Sequence, residues 1–164
     1  MTVPLIRLAS SDDAQQVAAL RRAYGGERHP PQAEPDDDFE RRFHEWHEQT
    51  QDSCVSWLAV VDTQAIGLLS MFVIPRMPMP GRQVGQLAYL SLLFVLPDHR
   101  NDGLGRRLLD MAFAHAREND IFRILLRPTD QAIALYHRAG FHSADQYLVW
   151  KSQRNAVPDQ SQLQ

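Results

Sequence analysis

A chain of 164 residues with a net charge of −3 and a pI near 6.1 has the length of a single domain, enough to bury about two-thirds of its unfolded surface. Hydrophobic content of 44% and charged content of 23% are those of an ordinary globular protein, and without a basic excess nucleic acid is not an expected partner. The single cysteine, Cys54, excludes an internal disulfide framework and fits a reducing compartment. With neither a charged-then-apolar leader nor an apolar span of ~18 residues, a cytoplasmic protein outside the membrane is expected.

Residues 3–8 are apolar and short, and are expected as an edge strand. Ser10, Ser11, Asp12 and Asp13 mark a helix start, because their side chains accept hydrogen bonds from the free first-turn amides. The helical pattern runs through Ala14, Val17, Ala18 and residues 20–24, and Gly25–Gly26 is expected to end it. Residues 27–48 hold eight acids against three arginines. Pro30, Pro31 and Pro35 make the first half of that stretch a loop, while Phe39, Phe43, Trp46 and His47 recur at helical spacing beyond Asp36. The plain reading of the acids is a solvated helix face with capping aspartates. His44 and His47 lack the His-Glu-x-x-His spacing and a third ligand, so no metal site is expected.

Residues 54–61 read as a strand, 62–65 as a tight turn and 66–74 as the returning strand of an antiparallel hairpin, with Cys54 buried and inert. Pro75, Pro78, Pro80 and Gly81 form a rigid connection bearing Met77 and Met79. A central strand follows over residues 86–95, rich in strand-formers at its end and broken at Pro97. A polar turn over residues 98–102 then leads through Gly103 and Gly105 into a helix with Leu104, Leu108, Met111, Ala112 and His115 on one face. Strand, glycine turn and helix together build an anion site. The first helical amides lack intrahelical partners, the macrodipole adds positive charge, and glycine lets a phosphate approach the backbone. Arg100, Arg106 and Arg107 can add charge-assisted hydrogen bonds, so a diphosphate-bearing molecule is the natural ligand.

The spacing matches neither the Walker loop nor Gly-x-Gly-x-x-Gly. Val95-x-Pro97 followed by Arg100-x-x-Gly103-x-Gly105 instead resembles the GNAT superfamily of acyl-CoA-dependent N-acetyltransferases. Downstream, residues 121–126 read as a buried-type strand, making a βαβ crossover and a parallel pair with the central strand. Pro128 and Thr129 are expected to start the next helix, capped by Thr129, and Gly140 to end it. Phe141 and residues 147–150 are expected as the last strands, and 152–164 as a polar, disordered tail. Leu135-Tyr136-His137-Arg138-Ala139-Gly140-Phe141 resembles the family's second motif, Leu-Tyr-x-x-x-Gly-Phe, in the right order after the first.

The resemblance covers about residues 6–150 and implies one acetyltransferase domain over residues 1–151. The implied fold is α/β, a mixed, mostly antiparallel sheet with a splayed parallel pair and helices on both faces. It implies acetyl-CoA as co-substrate, without a metal, and an amine-bearing small molecule or peptide as acceptor, the acidic stretch tilting towards cations; a homodimer is compatible with it. Tyr136 is implied as the general acid that protonates the departing thiolate. Thiols titrate near pH 8.5 and phenols near 10, so the phenol stays protonated at neutral pH. The implied cofactor site comprises Leu93, Phe94 and Val95 along the pantetheine slot, the turn Arg100, Asn101, Asp102, Gly103, Leu104, Gly105 and Arg106, and Thr129. An oxyanion role falls to the N–H near Leu93.

Two positions depart from the pattern: Thr129 stands where asparagine is common, and Asn101 where glycine is usual. No carboxylate lies on the central strand, where Tyr89 and Ser91 are the only polar side chains between Leu87 and Val95. The base is therefore open among Glu27, residues 36–38, a histidine, or water receiving the proton of a low-pKa amine. The alternative function is a non-catalytic acyl-CoA-binding module of the same fold with a regulatory role.

Overall fold

The structure, a computed structural model, describes residues 3–28, 36–144 and 146–150. The proline loop expected around residues 30–35 and the polar tail lie outside the described residues. Strands with apolar residues on both sides require covering on both faces, and β2 (Cys54–Val61) sets this pattern. Its Trp57 and Ala59 enter one hydrophobic cluster while Leu58 and Val60 enter another. β3 (Gln64–Ile74) returns antiparallel through a short turn in which Asp62 has a left-handed φ of 54°. β1 (Leu5–Leu8) pairs with β2, and β4 (Gln86–Val95) with β3, all antiparallel. β5 (Ile121–Leu125) lies parallel to β4, reached through α3 (Leu104–Glu118), in the order β1-β2-β3-β4-β5. This is the mixed sheet with one parallel pair that the sequence predicts.

On one face α1 (Ala14–Arg28) and α2 (Phe39–Thr50) bury Val17, Leu20 and Phe43 against Leu58, Leu68, Leu92 and Phe94. On the other, α3 and α4 (Ile133–Arg138) bury Leu104, Leu108, Leu109, Ala112 and Tyr136 against Trp57, Leu69 and Leu90. Met111, expected on the inner stripe of α3, is 37% exposed, and Leu109 is fully buried instead, lying nearer the centre of the stripe.

Four expectations are corrected. First, α1 does not stop at Gly25–Gly26 but continues to Arg28. Neither glycine has a positive φ, and contacts on either side of them secure the last turn: Tyr24 packs edge-on to Phe94 at 5.7 Å, and Glu27 pairs with Arg100. These outweigh the ~1 kcal/mol that a mid-helix glycine costs. A Cβ at Gly26 would meet nothing within 4 Å, so Gly26→Ala is expected to raise stability by about 0.5–1 kcal/mol in a denaturant titration. Second, β5 is an edge strand rather than a buried one, with Phe122 51% exposed.

Third, α4 starts at Ile133, and Thr129 contributes its carbonyl, accepting from the Ala132 and Ile133 amides, rather than a hydroxyl cap. Fourth, no strand follows β5 among the described residues. Tyr147 accepts a hydrogen bond from Arg123 (2.8 Å), but Leu148, Val149 and Trp150 are 98%, 81% and 85% exposed. β-propensity is a fit to a neighbouring strand and face, and this apolar run has none here.

Candidate active site

β4 outruns its parallel neighbour. Pairing with β5 ends at Tyr89↔Leu125, whereas pairing with β3 continues to Val95↔Gly67. Residues 90–95 therefore border a slot on the β5 side. Ser91 is an extra residue between the pairs Met71↔Leu90 and Ser70↔Leu92, a bulge beside the mouth of the slot. The Leu96 amide donates to the Ile66 carbonyl of β3 at 2.9 Å. By strand alternation, Leu92 and Phe94 turn their backbone groups to β3, and Leu93 and Val95 turn theirs into the slot. The Val95 carbonyl accordingly accepts from Arg100 Nε at 2.9 Å rather than from a strand. Of the three strand residues predicted for the cofactor, Phe94 packs its ring on the α1 side, while Leu93 and Val95 turn their backbone away from β3, the Val95 carbonyl being taken by Arg100.

The slot ends at the turn into α3. Asn101 has a φ of 69° and Gly103 of 74°, so the asparagine adopts the left-handed backbone usual for glycine, which its short side chain tolerates. A Cβ on Gly103 would meet nothing within 4 Å, and one on Gly105 only Leu135 at 3.4 Å, an ordinary contact. Packing does not demand either glycine, and open space faces the first amides of α3. Leu104 is buried and anchors the helix start; Asp102 is exposed in the turn.

The arginines are engaged elsewhere within the fold. Arg106 donates to Asp110 Oδ1 (2.9 Å) and to the Arg138 carbonyl (3.2 Å), and Arg107 to the Pro4 carbonyl. Arg100 makes a two-pronged pair with Glu27 (2.9 and 2.6 Å) and lies 5.5 Å from the Phe94 ring. That pair holds the Glu27 carboxyl below its ordinary range, so Glu27 is a poor proton acceptor.

Tyr136 of α4 joins the hydrophobic cluster against which Leu93 and Val95 pack. Leu135 sits over Gly105, and Gly140 takes a φ of 101°, which folds Phe141 back so that its amide donates to the Tyr136 carbonyl at 3.0 Å. The two rings meet edge-on at 5.5 Å. Leu, Tyr, Gly and Phe at this spacing thus form one packed corner, with the phenol 8% exposed and without a hydrogen-bond partner among the described residues. Burial pushes its pKa up to about 12, and Tyr24 of α1 adds to the rise from across the sheet. Thr129 is half-buried on the turn before α4.

A cavity of about 360 Å³ opens on the α1–α2 side. Ser91 and Leu92 of β4 and Leu68, Ser70 and Phe72 of β3 form its floor; Val17 and Arg21 of α1 and Phe39, Arg42, Phe43 and Trp46 of α2 form its walls. Ser91 Oγ donates to the Ser70 carbonyl (3.2 Å). Four acids of the acidic stretch are committed to arginines: Glu40 to Arg22, Asp36 to Arg42, and Asp38 and Glu45 to Arg41. His44 pairs with Glu48, and His47 stacks on Phe43. Burial raises the Cys54 thiol, which only approaches Ser56 Oγ, at 3.9 Å.

A sequence model described as the Acetyltransferase (GNAT) family matches residues 16–141. The chain belongs to this family. GNAT structures share its fold. A predicted acetyltransferase with acetyl-CoA from Clostridium acetobutylicum is 21% identical with a TM-score of 0.75, covering 90% of this chain and 96% of its own. A ribosomal-protein-alanine N-acetyltransferase from Brucella melitensis is 20% identical at 0.69 (90% and 99%). An aminoglycoside acetyltransferase from an uncultured soil metagenomic sample, in complex with sisomicin, is 14% identical at 0.74 (93% and 97%). No curated protein matches.

Within this GNAT chain, Leu93, Val95, Leu104 at the start of α3 and Tyr136 share one hydrophobic cluster. Sequence reasoning missed Tyr24 and the arginine lining of the cavity. Arg21 stands one turn after Val17 and before Tyr24, a spacing that already places it beside buried residues. No helix among the described residues is long and apolar enough to cross a membrane.

Proposed function

We propose that this acetyltransferase moves the acetyl group of acetyl-CoA to a primary amine by direct attack in a ternary complex. The observation that carries the reading is β4 itself. Its Leu93 and Val95 backbone groups face the slot, Ser91 floors the cavity two residues away, and a strand advances only ~3.3 Å per residue. A thioester lying along the slot is then within reach of an amine seated in the cavity. The amine nitrogen bonds to the thioester carbon, the carbon–sulfur bond breaks, and the thiolate takes the Tyr136 proton. The proton lost by the amine restores the phenol through water. The Leu93 amide faces the carbonyl oxygen, while the Leu104, Gly105 and Arg106 amides and the open face of Gly103 receive the diphosphate.

Acetyl-CoA at 100 times its Kd is expected to stabilise the protein by about 2.7 kcal/mol in thermal unfolding. Arg100→Ala, which removes the brace between β4, the turn and α1, is expected to show a much smaller shift. No shift in the wild type would remove the assignment, and binding without release of CoA thiol for any amine would favour a non-catalytic acyl-CoA-binding module. A cytoplasmic setting fits the lone half-buried cysteine. A homodimer fits the open edge of β5 beside exposed Leu148, Val149 and Trp150, and a solution mass of two chains is the expected check.

A further inference from the structure

We propose that the acceptor is a primary amine carrying a carboxylate on an aromatic or large aliphatic body, an aromatic amino acid being the simplest case. This rests on the amine acetyltransferase reading above and names its substrate class. The cavity walls are aromatic: Phe39, Phe43 and Trp46 stand in series with centroids 5.9 and 5.2 Å apart, and Phe72 meets Trp46 edge-on at 6.1 Å. Among the described residues no aspartate or glutamate lines the cavity, whereas Arg21 and Arg42 do. Arg42 shares its charge with Asp36. Arg21 has no carboxylate partner among the described residues, its guanidinium resting 5.1 Å from the Tyr24 ring.

An apolar box with an uncommitted guanidinium suits a carboxylate, which arginine binds through paired, charge-assisted hydrogen bonds. A polyamine or aminoglycoside would place its extra cations against Arg21 and Arg42, with no acid among the described lining residues to receive them. The same charges address the missing base. Nearby cations disfavour an ammonium and lower the pKa of a bound amine, so more of it is neutral and nucleophilic, its proton passing to water.

The test is CoA release with phenylalanine, phenylalaninamide, phenethylamine and spermidine, which separate body, carboxylate and extra charge. Phenylalanine is expected to exceed phenethylamine in kcat/KM by about 10- to 100-fold, the range of one charge-assisted hydrogen bond. Arg21→Gln should remove that preference while leaving the acetyl-CoA thermal shift intact. Without turnover, N-acetylphenylalanine should stabilise the wild type more than N-acetylphenethylamine, and Arg21→Gln should abolish the difference. Preference for spermidine or phenethylamine, or a carboxylate preference unchanged in both Arg21→Gln and Arg42→Gln, overturns the proposal and leaves acetyl transfer standing. Absence of any acetyl-CoA shift, by contrast, removes acetyl transfer and this substrate class with it.

Discussion

Replacing Tyr136 with phenylalanine is expected to lower kcat by about 10²- to 10³-fold, the contribution of one positioned general acid, with little change in acetyl-CoA affinity. The ring supplies the packing: it meets Phe141 edge-on and belongs to the α3–α4 core, and phenylalanine retains both contacts. The phenol oxygen has no partner among the described residues, so its loss orphans no buried group. The hydroxyl is thus free to donate to a thiolate developing in the slot. Its pKa, pushed up to about 12 by burial, gives the experiment a second readout. The acid form survives to near pH 12, so wild-type kcat should not fall through pH 10, where an ordinary phenol would ionise. Loss of kcat centred near pH 10 would assign the acid to another group, and a less than about fivefold defect in Tyr136→Phe would remove Tyr136 from the reaction.

The elements with strong local signals were legible in the sequence. Residues 54–61 and 86–95 appear as β2 and β4 with the predicted bounds, because long apolar runs closed by Asp62 and Pro97 leave little choice of period or end. The glycine turn and the Leu-Tyr-x-x-x-Gly-Phe corner were legible as well, since each turns on a glycine with a left-handed φ, Gly103 in one and Gly140 in the other. What failed depends on contacts distant in sequence. Gly25–Gly26 did not end α1 because Phe94 and Arg100, about seventy residues on, hold its last turn. The strand expected at residues 147–150 needs a neighbour that local pattern cannot supply. The acidic stretch misled for a similar reason. Its charge is visible in composition, but only the fold shows Arg22, Arg41 and Arg42 absorbing it and Arg21 left facing the cavity.

Asp13→Asn is expected to destabilise the protein by about 2–3 kcal/mol, or about 5–10 °C in Tm for a chain of this size. Asp13 is 4% exposed, and its carboxylate accepts two hydrogen bonds from Arg7 (both 2.7 Å), one from the Ser10 amide (2.8 Å) and one from Ser10 Oγ (3.0 Å). It was legible as a helix-start residue, but its reach to Arg7 on β1 was not. Asparagine keeps the shape, loses the charge and turns a donor towards Arg7. Arg7 is 39% exposed at its side chain, so solvent screens the pair and the cost stays below that of a fully buried ion pair. Chiefly through Arg7, the folded-state pKa of Asp13 lies well below the carboxylate range. A depressed pKa contributes stability that is present above the unfolded value, about 3.9, and is lost as pH falls through the folded value. The gap between wild type and Asp13→Asn should therefore be full at pH 7 and shrink progressively below about pH 4. A gap unchanged down to pH 2 would mean that shape rather than charge holds this corner. The corner bears on function because it fixes the start of α1 to β1, and α1 carries Arg21 to the cavity, Tyr24 towards Tyr136 and Glu27 to Arg100. The variant should still show an acetyl-CoA shift, counted from its lowered Tm, because ligand held by the native state adds its stabilisation whatever the starting stability.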